Sequence, residues 1–426
     1  MKIIESLNVK EKVYIEKLEN GMTVIVLPKE NTTKKYILWG TNYGSIDNKF
    51  IVPGEENETE VPDGVAHFLE HKMFEQENGT NSLDVLSSLG VEANAYTTND
   101  HTAYLFGCTD NFYEALDELM DYVQHPYFTD ENVEKEKGII GQEIMMYDDY
   151  PDWIVYMNAL DCMYKVHPVK LDITGTIDTI SKIDKDILYK CYNTFYNPSN
   201  MTLVVCGDFK SEEIIEEIKK RLIDAKKQGE IKRIYTKEPK EINKPFAKQN
   251  MQVSNPLFII GVKDERNLEE DIVKKHIAVE ILLNMLLGKS SKLYKELYEE
   301  GNILAEPSLD YEFAKEYAHI MITGQSKNPE KVMEKLKGKI KDLKEKGLDE
   351  VHFTRIKKKI YGDYITEYND VGSIARMFLA DSFKGINSFD YLEKYNEVSK
   401  EYTEQILKDV FNEDKMVLSI VENGNQ

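Results

Sequence analysis

His67 and His71 stand four residues apart in the run His67-Phe68-Leu69-Glu70-His71, with Glu70 just before the second histidine. On a helix, residues i and i+4 share one face, so the two imidazoles would sit one above the other. Imidazole is a strong zinc ligand, and two of them supply half of a tetrahedral shell. Glu70 can face the same ion without binding it. A base must sit there to take a proton from an activated water. The order H-x-x-E-H reverses the H-E-x-x-H arrangement of common zinc hydrolases. The plainer alternative is a pair of partly buried structural histidines in a short chance pattern. A third ligand decides between the two.

The elements that would carry these residues are visible in the sequence. Pro62-Asp63-Gly64 reads as a turn with Asp63 as N-cap, and residues 65–75 follow without a helix breaker. Residues 134–146 read as a second, long helix on which Glu136, Ile140 and Glu143 share one stripe. Carboxylates among Ile139, Ile140, Ile144 and Met145 carry a burial cost unless paired or metal-bound. Glu143 has the more apolar surroundings and is the better third-ligand candidate. Glu136 could hydrogen-bond a ligand imidazole from behind. A solvated, charged helix face is the alternative for both.

H-x-x-E-H followed at this distance by E-x6-E resembles the pitrilysin and insulinase-type metallopeptidases, a family that includes mitochondrial processing peptidase. Glu143 lies 72 residues after His71. The match looks closest to the short bacterial zinc-protease members of about this length. The resemblance implies that His67, His71 and Glu143 bind Zn2+, that Glu70 is the catalytic base and that Glu136 is a supporting acid. Glu19 to Val24 resembles the family's N-terminal hairpin. Asn94, Ala95, Tyr96 and Thr97 resemble the edge strand that receives the substrate. Asn197 to Asp208 resembles the end of the first domain. A loop entering a strand is the plain alternative for the Asn94 stretch, and its Tyr and Thr content suits that too.

The chain has 426 residues, 41% of them hydrophobic, which suits two domains with real cores. Strand-like runs at 22–27, 36–40, 257–262 and 318–322 alternate with helical runs at 112–123, 131–146, 153–163, 272–287, 329–345 and 349–367. The pattern predicts an α+β protein in which an antiparallel sheet is covered by helices mainly on one face. The resemblance adds two homologous α/β-sandwich halves closing a clamshell-like chamber. The expected boundaries are 1–225 for the zinc-binding domain, 226–245 for a charged, exposed connector and 246–426 for a second domain without metal. A weak internal repeat supports duplication. Aligning Gly141 with Gly362 gives an offset of 221 that carries Glu143 to Tyr364, His67 to Gly288 and His71 to Lys292.

A net charge of −22 argues against nucleic acid, whose phosphates reward basic surfaces. No apolar stretch is long enough to span a membrane, and the acidic start lacks a signal-like core, so a cytoplasmic enzyme is the simplest reading. Four cysteines form no close pair, which makes a disulfide framework improbable. The other six histidines show no ligand spacing. Gly288-Lys289-Ser290 resembles the tail of a phosphate loop, but the leading glycines are absent.

In the family's second domain an arginine and, seven residues on, a tyrosine commonly hold the substrate carbonyl. Here those positions fall on Tyr298 and near Leu304 or Ala305, and neither donor is present. Some members divide the labour between a zinc-bearing subunit and a metal-free homologue. The resemblance therefore implies a zinc endopeptidase for short or unfolded peptides, paired with a homologous metal-free partner. A homodimer stays open as the other arrangement. The alternative function is a non-catalytic, peptide-binding subunit of a processing complex.

Overall fold

The computed structural model describes residues 1–424. The last two residues of the expected second domain, 425–426, lie outside the described residues. The chain forms two compact units, each built from three segments. The first contains Met1–Ile144, Leu171–Tyr235 and Ile365–Phe389; the second contains Met145–Lys170, Thr236–Tyr364 and the chain from Asp390 onward.

The first unit is organised on a seven-stranded sheet. Its strands lie in the order Lys2–Ser6, Glu11–Lys17, Thr23–Pro28, Met201–Gly207, Lys35–Thr41, Thr102–Cys108 and Glu92–Thr97. All neighbours are antiparallel except Thr23–Pro28 against Met201–Gly207. Successive strand residues point to opposite faces. Val24, Val26, Ile37, Trp39, Leu203 and Val205 enter a core shared with Phe68, Leu69, Leu116, Leu119 and Ile215 from the helices. Strand Met201–Gly207 is nonetheless buried at every residue, so its other face must also be covered. Helix Val371–Lys384 supplies that cover, packing on Met201–Gly207 and Lys35–Thr41. Gly40 admits it: a Cβ there would stand 2.9 Å from both methyls of Leu379.

The second unit carries a five-stranded sheet in the order Phe246–Asn250, Met416–Glu422, Leu257–Asp264, Ala318–Gln325 and Ser308–Phe313. Helix Pro151–Met163 packs on Leu257–Asp264 and Met416–Glu422. A single cut in the chain therefore does not separate the compact units, because each takes one helix from the other's stretch of sequence. The α+β class and the predominantly antiparallel sheets agree with expectation. The stretch read as an exposed connector is tied down within each unit. Lys232–Arg233 pairs with Lys49–Ile51, and Arg233 reaches the buried Asp47 at 2.9 Å. Glu238 accepts backbone N–H bonds from Lys165, Val166 and His167, each at 2.8 Å. All four cysteines are free thiols. No described helix is long and apolar enough to cross a membrane.

The internal repeat takes a different form from the one the constant offset implies. In the second unit Tyr364, on helix Glu350–Glu367, donates a hydrogen bond to Glu280 on helix Ile272–Leu287. His276 lies one turn before Glu280, with its Nε2 3.6 Å from that carboxylate. The arrangement resembles that of His67, His71 and Glu143 in part: two side chains at i and i+4 share one helix, and the second of them meets a residue of a later helix. Gly288, the offset partner of His67, only caps the end of Ile272–Leu287. The spacing between the two helices differs by twelve residues in the two halves, so one offset cannot serve both.

Glu280 has a raised pKa of about 7; burial is the chief cause, Asp363 and Asp310 add to it, and the Tyr364 hydrogen bond and Lys359 oppose it. A carboxyl with a raised folded-state pKa holds its proton more tightly folded than unfolded. It therefore lowers stability as pH rises from the unfolded value near 4.5 towards about 7. Thermal unfolding of wild type should show this downward slope, at most about 1.4 kcal/mol per pH unit. Glu280→Gln should flatten it, and an identical slope in both proteins contradicts the assignment.

Candidate metal centre

The histidine helix spans Val65–Lys72, and every residue in it except His71 is buried. It begins at Gly64, with φ at 93°, and no side chain caps it. Asp63, expected as the cap, instead accepts a hydrogen bond from Asn48 Nδ2 at 2.8 Å. A Cβ at position 64 would lie 2.5 Å from the carbonyl oxygen of Thr174. Both the left-handed φ and the close approach require glycine. Phe68 and Leu69 fasten the helix to the core, both at 0% exposure.

The helix axis brings the two imidazoles to a ring separation of 4.5 Å. Glu143 comes from helix Asp130–Asp148. Its Oε2 lies 3.6 Å from His67 Nε2 and 3.4 Å from His71 Nε2. Donors on a tetrahedral zinc with bonds of about 2.0–2.1 Å stand about 3.3–3.4 Å apart. Both carboxylate–imidazole separations therefore lie close to those around a single zinc ion. Among the described residues, these form the one set of His, Cys, Asp or Glu side chains whose donor atoms converge, all within 4.8 Å. Two imidazoles and one carboxylate make an open, three-ligand shell, the kind that leaves a place for water or substrate.

Burial and the neighbouring charges shift all three groups. Burial, aided by the neighbouring His71, pulls His67 down to about 3, so it is neutral, as a ligand must be. Burial opposes charge on His71, but its hydrogen bond to Glu136 and the carboxylates of Glu70, Glu136 and Glu143 outweigh this and raise its pKa. Glu143 is raised by burial, with His71 opposing and Asp172 and Glu136 adding. Three acids thus surround two imidazoles, a donor set suited to a divalent cation.

Glu136 does not join the three converging donors. Its Oε1 lies 3.1 Å from His71 Nδ1, on the far side of the ring from Glu143. A carboxylate accepts there, so Nδ1 carries the proton and Nε2 keeps its lone pair for a metal. Glu136 is a positioning residue in this geometry rather than a group that meets the reacting atoms.

Glu70 is buried, and burial raises its pKa. Thr97 Oγ1 donates to its Oε2 at 2.6 Å. Thr97 belongs to Glu92–Thr97, which among the described residues pairs only with Thr102–Cys108 and forms the edge of the seven-stranded sheet. Asn94, Ala95, Tyr96 and Thr97 therefore lie on the edge strand of this sheet. Asn94 and Ala95 line a groove with Glu70, His71, Phe74 and Glu136. Two features went unread in the sequence: the Thr97 hydroxyl aimed at Glu70, and the buried ammonium of Lys72 behind Glu136. Neither has a periodicity signal, because both depend on how separate elements meet.

Residues 50–177 match the insulinase, or peptidase M16, family, and residues 182–360 match the peptidase M16 inactive domain. The chain belongs to the M16 peptidase family. It is 39% identical over 426 residues to the uncharacterized zinc protease YmfH of Bacillus subtilis, covering 98% of each chain. A crystal structure of an M16-like peptidase from Alicyclobacillus acidocaldarius superposes with a TM-score of 0.92 at 32% identity, covering 98% of this chain and 99% of that one. A mitochondrial-processing peptidase subunit beta of Arabidopsis thaliana is 29% identical over 178 residues, 40% of this chain and 33% of that protein. The family resemblance drawn from the two motifs is thus borne out.

Metal content tests the centre directly. The purified chain should carry one zinc per polypeptide, and Glu143→Ala should retain much less, since two imidazoles leave the shell incomplete. Equal zinc in the two proteins by elemental analysis would remove Glu143 from the ligand set.

Proposed function

We propose that this protein is a zinc-dependent endopeptidase acting on short or unfolded peptides. The observation that carries the reading is the convergence of His67 Nε2, His71 Nε2 and Glu143 Oε2 beside the buried carboxylate of Glu70. Zinc held by these ligands would supply a Lewis acid that polarises the scissile carbonyl and acidifies water. Glu70 would take the proton of the attacking water and return it to the leaving amine. The Thr97 hydroxyl orients the carboxylate for that transfer. A peptide would lie extended along Glu92–Thr97 and be held by backbone hydrogen bonds, which read side chains weakly. A cytoplasmic location belongs to the same proposal.

Glu70→Gln keeps the shape of the side chain and removes its ability to accept a proton. It should retain zinc and the native melting temperature while turnover falls about 10²- to 10⁴-fold. Near-normal turnover by the zinc-loaded variant excludes Glu70 as the base.

The proposal includes a homologous, metal-free partner. Tyr298, at the family's arginine position, is 54% exposed and stacks on Tyr294 at 5.9 Å. Tyr311, a local candidate for the missing phenol, already donates to Asp264 at 2.7 Å. Tyr311 is thus committed within the second unit, while Tyr294, the other local candidate, stacks on Tyr298. The similarity to a chain named as a subunit of a processing peptidase supports division of labour. One missing oxyanion donor commonly costs about 3 kcal/mol. Peptide turnover by the zinc-loaded chain should be low and should rise at least about 100-fold when a homologue bearing the Arg/Tyr pair is added. Full activity alone, unchanged by that homologue, contradicts the divided site. Tight peptide binding with no turnover in either state would favour the peptide-binding scaffold.

A further inference from the structure

Lys72 closes the histidine helix with its side chain only 1% exposed. A lysine is almost never buried to this degree unless its charge is matched. Two carboxylates match it. Glu75, one turn on, forms an ion pair with Nζ and remains 34% exposed. Glu136 presents its Oε2 at 3.7 Å and is itself only 11% exposed. The other oxygen of Glu136 meets His71 Nδ1 at 3.1 Å. One carboxylate thus spans a buried ammonium and a candidate ligand ring, with a separate oxygen committed to each.

This division has a consequence for His71. The ring can present a lone pair at Nε2 only if Nδ1 holds the proton, and an ionised Glu136 is the acceptor that keeps it there. A carboxylate in so closed a place holds its charge and its orientation only beside a counter-charge. On the groove side the cation is the solvent-exposed Lys135, which shares the lining with the acidic Glu70 and Glu75. Lys72 supplies the buried counter-charge from behind. Lys72 does not face the groove or the three converging donors, so it meets neither substrate nor metal.

We propose that Lys72 is a positioning residue for the metal centre: its buried ammonium fixes Glu136 in the orientation that makes His71 a ligand through Nε2. The inference rests on the reading of His67, His71 and Glu143 as a zinc site. It extends the support of the site from the ligands and Glu136 to a third layer, carried on the same helix as two of the ligands.

A double-mutant cycle on zinc binding tests it in the full-length protein. Zinc dissociation constants are measured by competition with a chromophoric chelator for wild type, Lys72→Met, Glu136→Gln and the double variant. Lys72→Gln serves as a second neutral variant in case the methionine fails to fold. Melting temperatures of the metal-free proteins report the fold separately. Loss of a partner behind a ligand typically costs 10- to 100-fold in metal affinity. Lys72→Met and Lys72→Gln should each weaken zinc binding by about that factor. The double variant should be no weaker than Glu136→Gln alone, because Lys72 acts through that carboxylate. Cobalt-substituted Lys72→Met should show the same shift of its visible absorption bands as cobalt-substituted Glu136→Gln. Additive losses in the double variant, or zinc affinity within twofold of wild type in both single Lys72 variants, overturn the proposal. A wild-type chain that binds no zinc overturns the underlying metal reading, and the inference with it.

Discussion

An eight-residue helix, buried along nearly its whole length, carries two imidazoles, a carboxylate and an ammonium. Every one of those groups loses water on folding, and each unpaired one would be costly. This constraint organises the first unit. His67 and His71 turn towards Glu143, Glu70 takes a hydrogen bond from Thr97, and Lys72 is matched by Glu75 and Glu136. Apart from Glu75, which follows the helix itself, the pairing partners come from a long helix and from an edge strand, so three elements meet at the site.

The same constraint explains why the helix starts on glycine. A capping side chain at position 64 would gain a hydrogen bond, but the chain passes 2.5 Å from where its Cβ would sit. Steric exclusion outweighs the cap, whose loss typically costs about 1 kcal/mol. The helix is held instead by Phe68 and Leu69 in the core. Tertiary packing, not local propensity, sets its position.

The residues that converge in the candidate centre were legible because helical periodicity encodes a shared face. His67 and His71 at i and i+4, and Glu136 and Glu143 at i and i+7, each predict one stripe. The resemblance to M16 peptidases then joined the two stripes. The edge position of Glu92–Thr97 followed from the same resemblance. Lys72 was not legible. It adjoins His71 in sequence, yet nothing local says that Glu136 returns to meet it 64 residues later. The crossing of Pro151–Met163 and Val371–Lys384 between units was hidden for a related reason. An apolar central strand demands cover on both faces, but the strand does not name the segment that provides it. The repeat misled through its constant offset: Tyr364 aligns with Glu143, whereas His276 and Glu280, not Gly288 and Lys292, stand where the histidines would.

The central claim is that one zinc ion sits among His67 Nε2, His71 Nε2 and Glu143 Oε2 and that the fold presents these atoms ready to bind it. Crystallographic data from the protein as purified, collected just above and just below the zinc absorption edge, test this most directly. The account predicts a single anomalous difference peak, present only above the edge, within about 2.0–2.2 Å of all three atoms. It also predicts that Glu136 stays on His71 Nδ1 and outside the coordination shell. A peak elsewhere in the chain, a shell that includes Glu136 in place of Glu143, or no peak at all in zinc-supplemented crystals would contradict it.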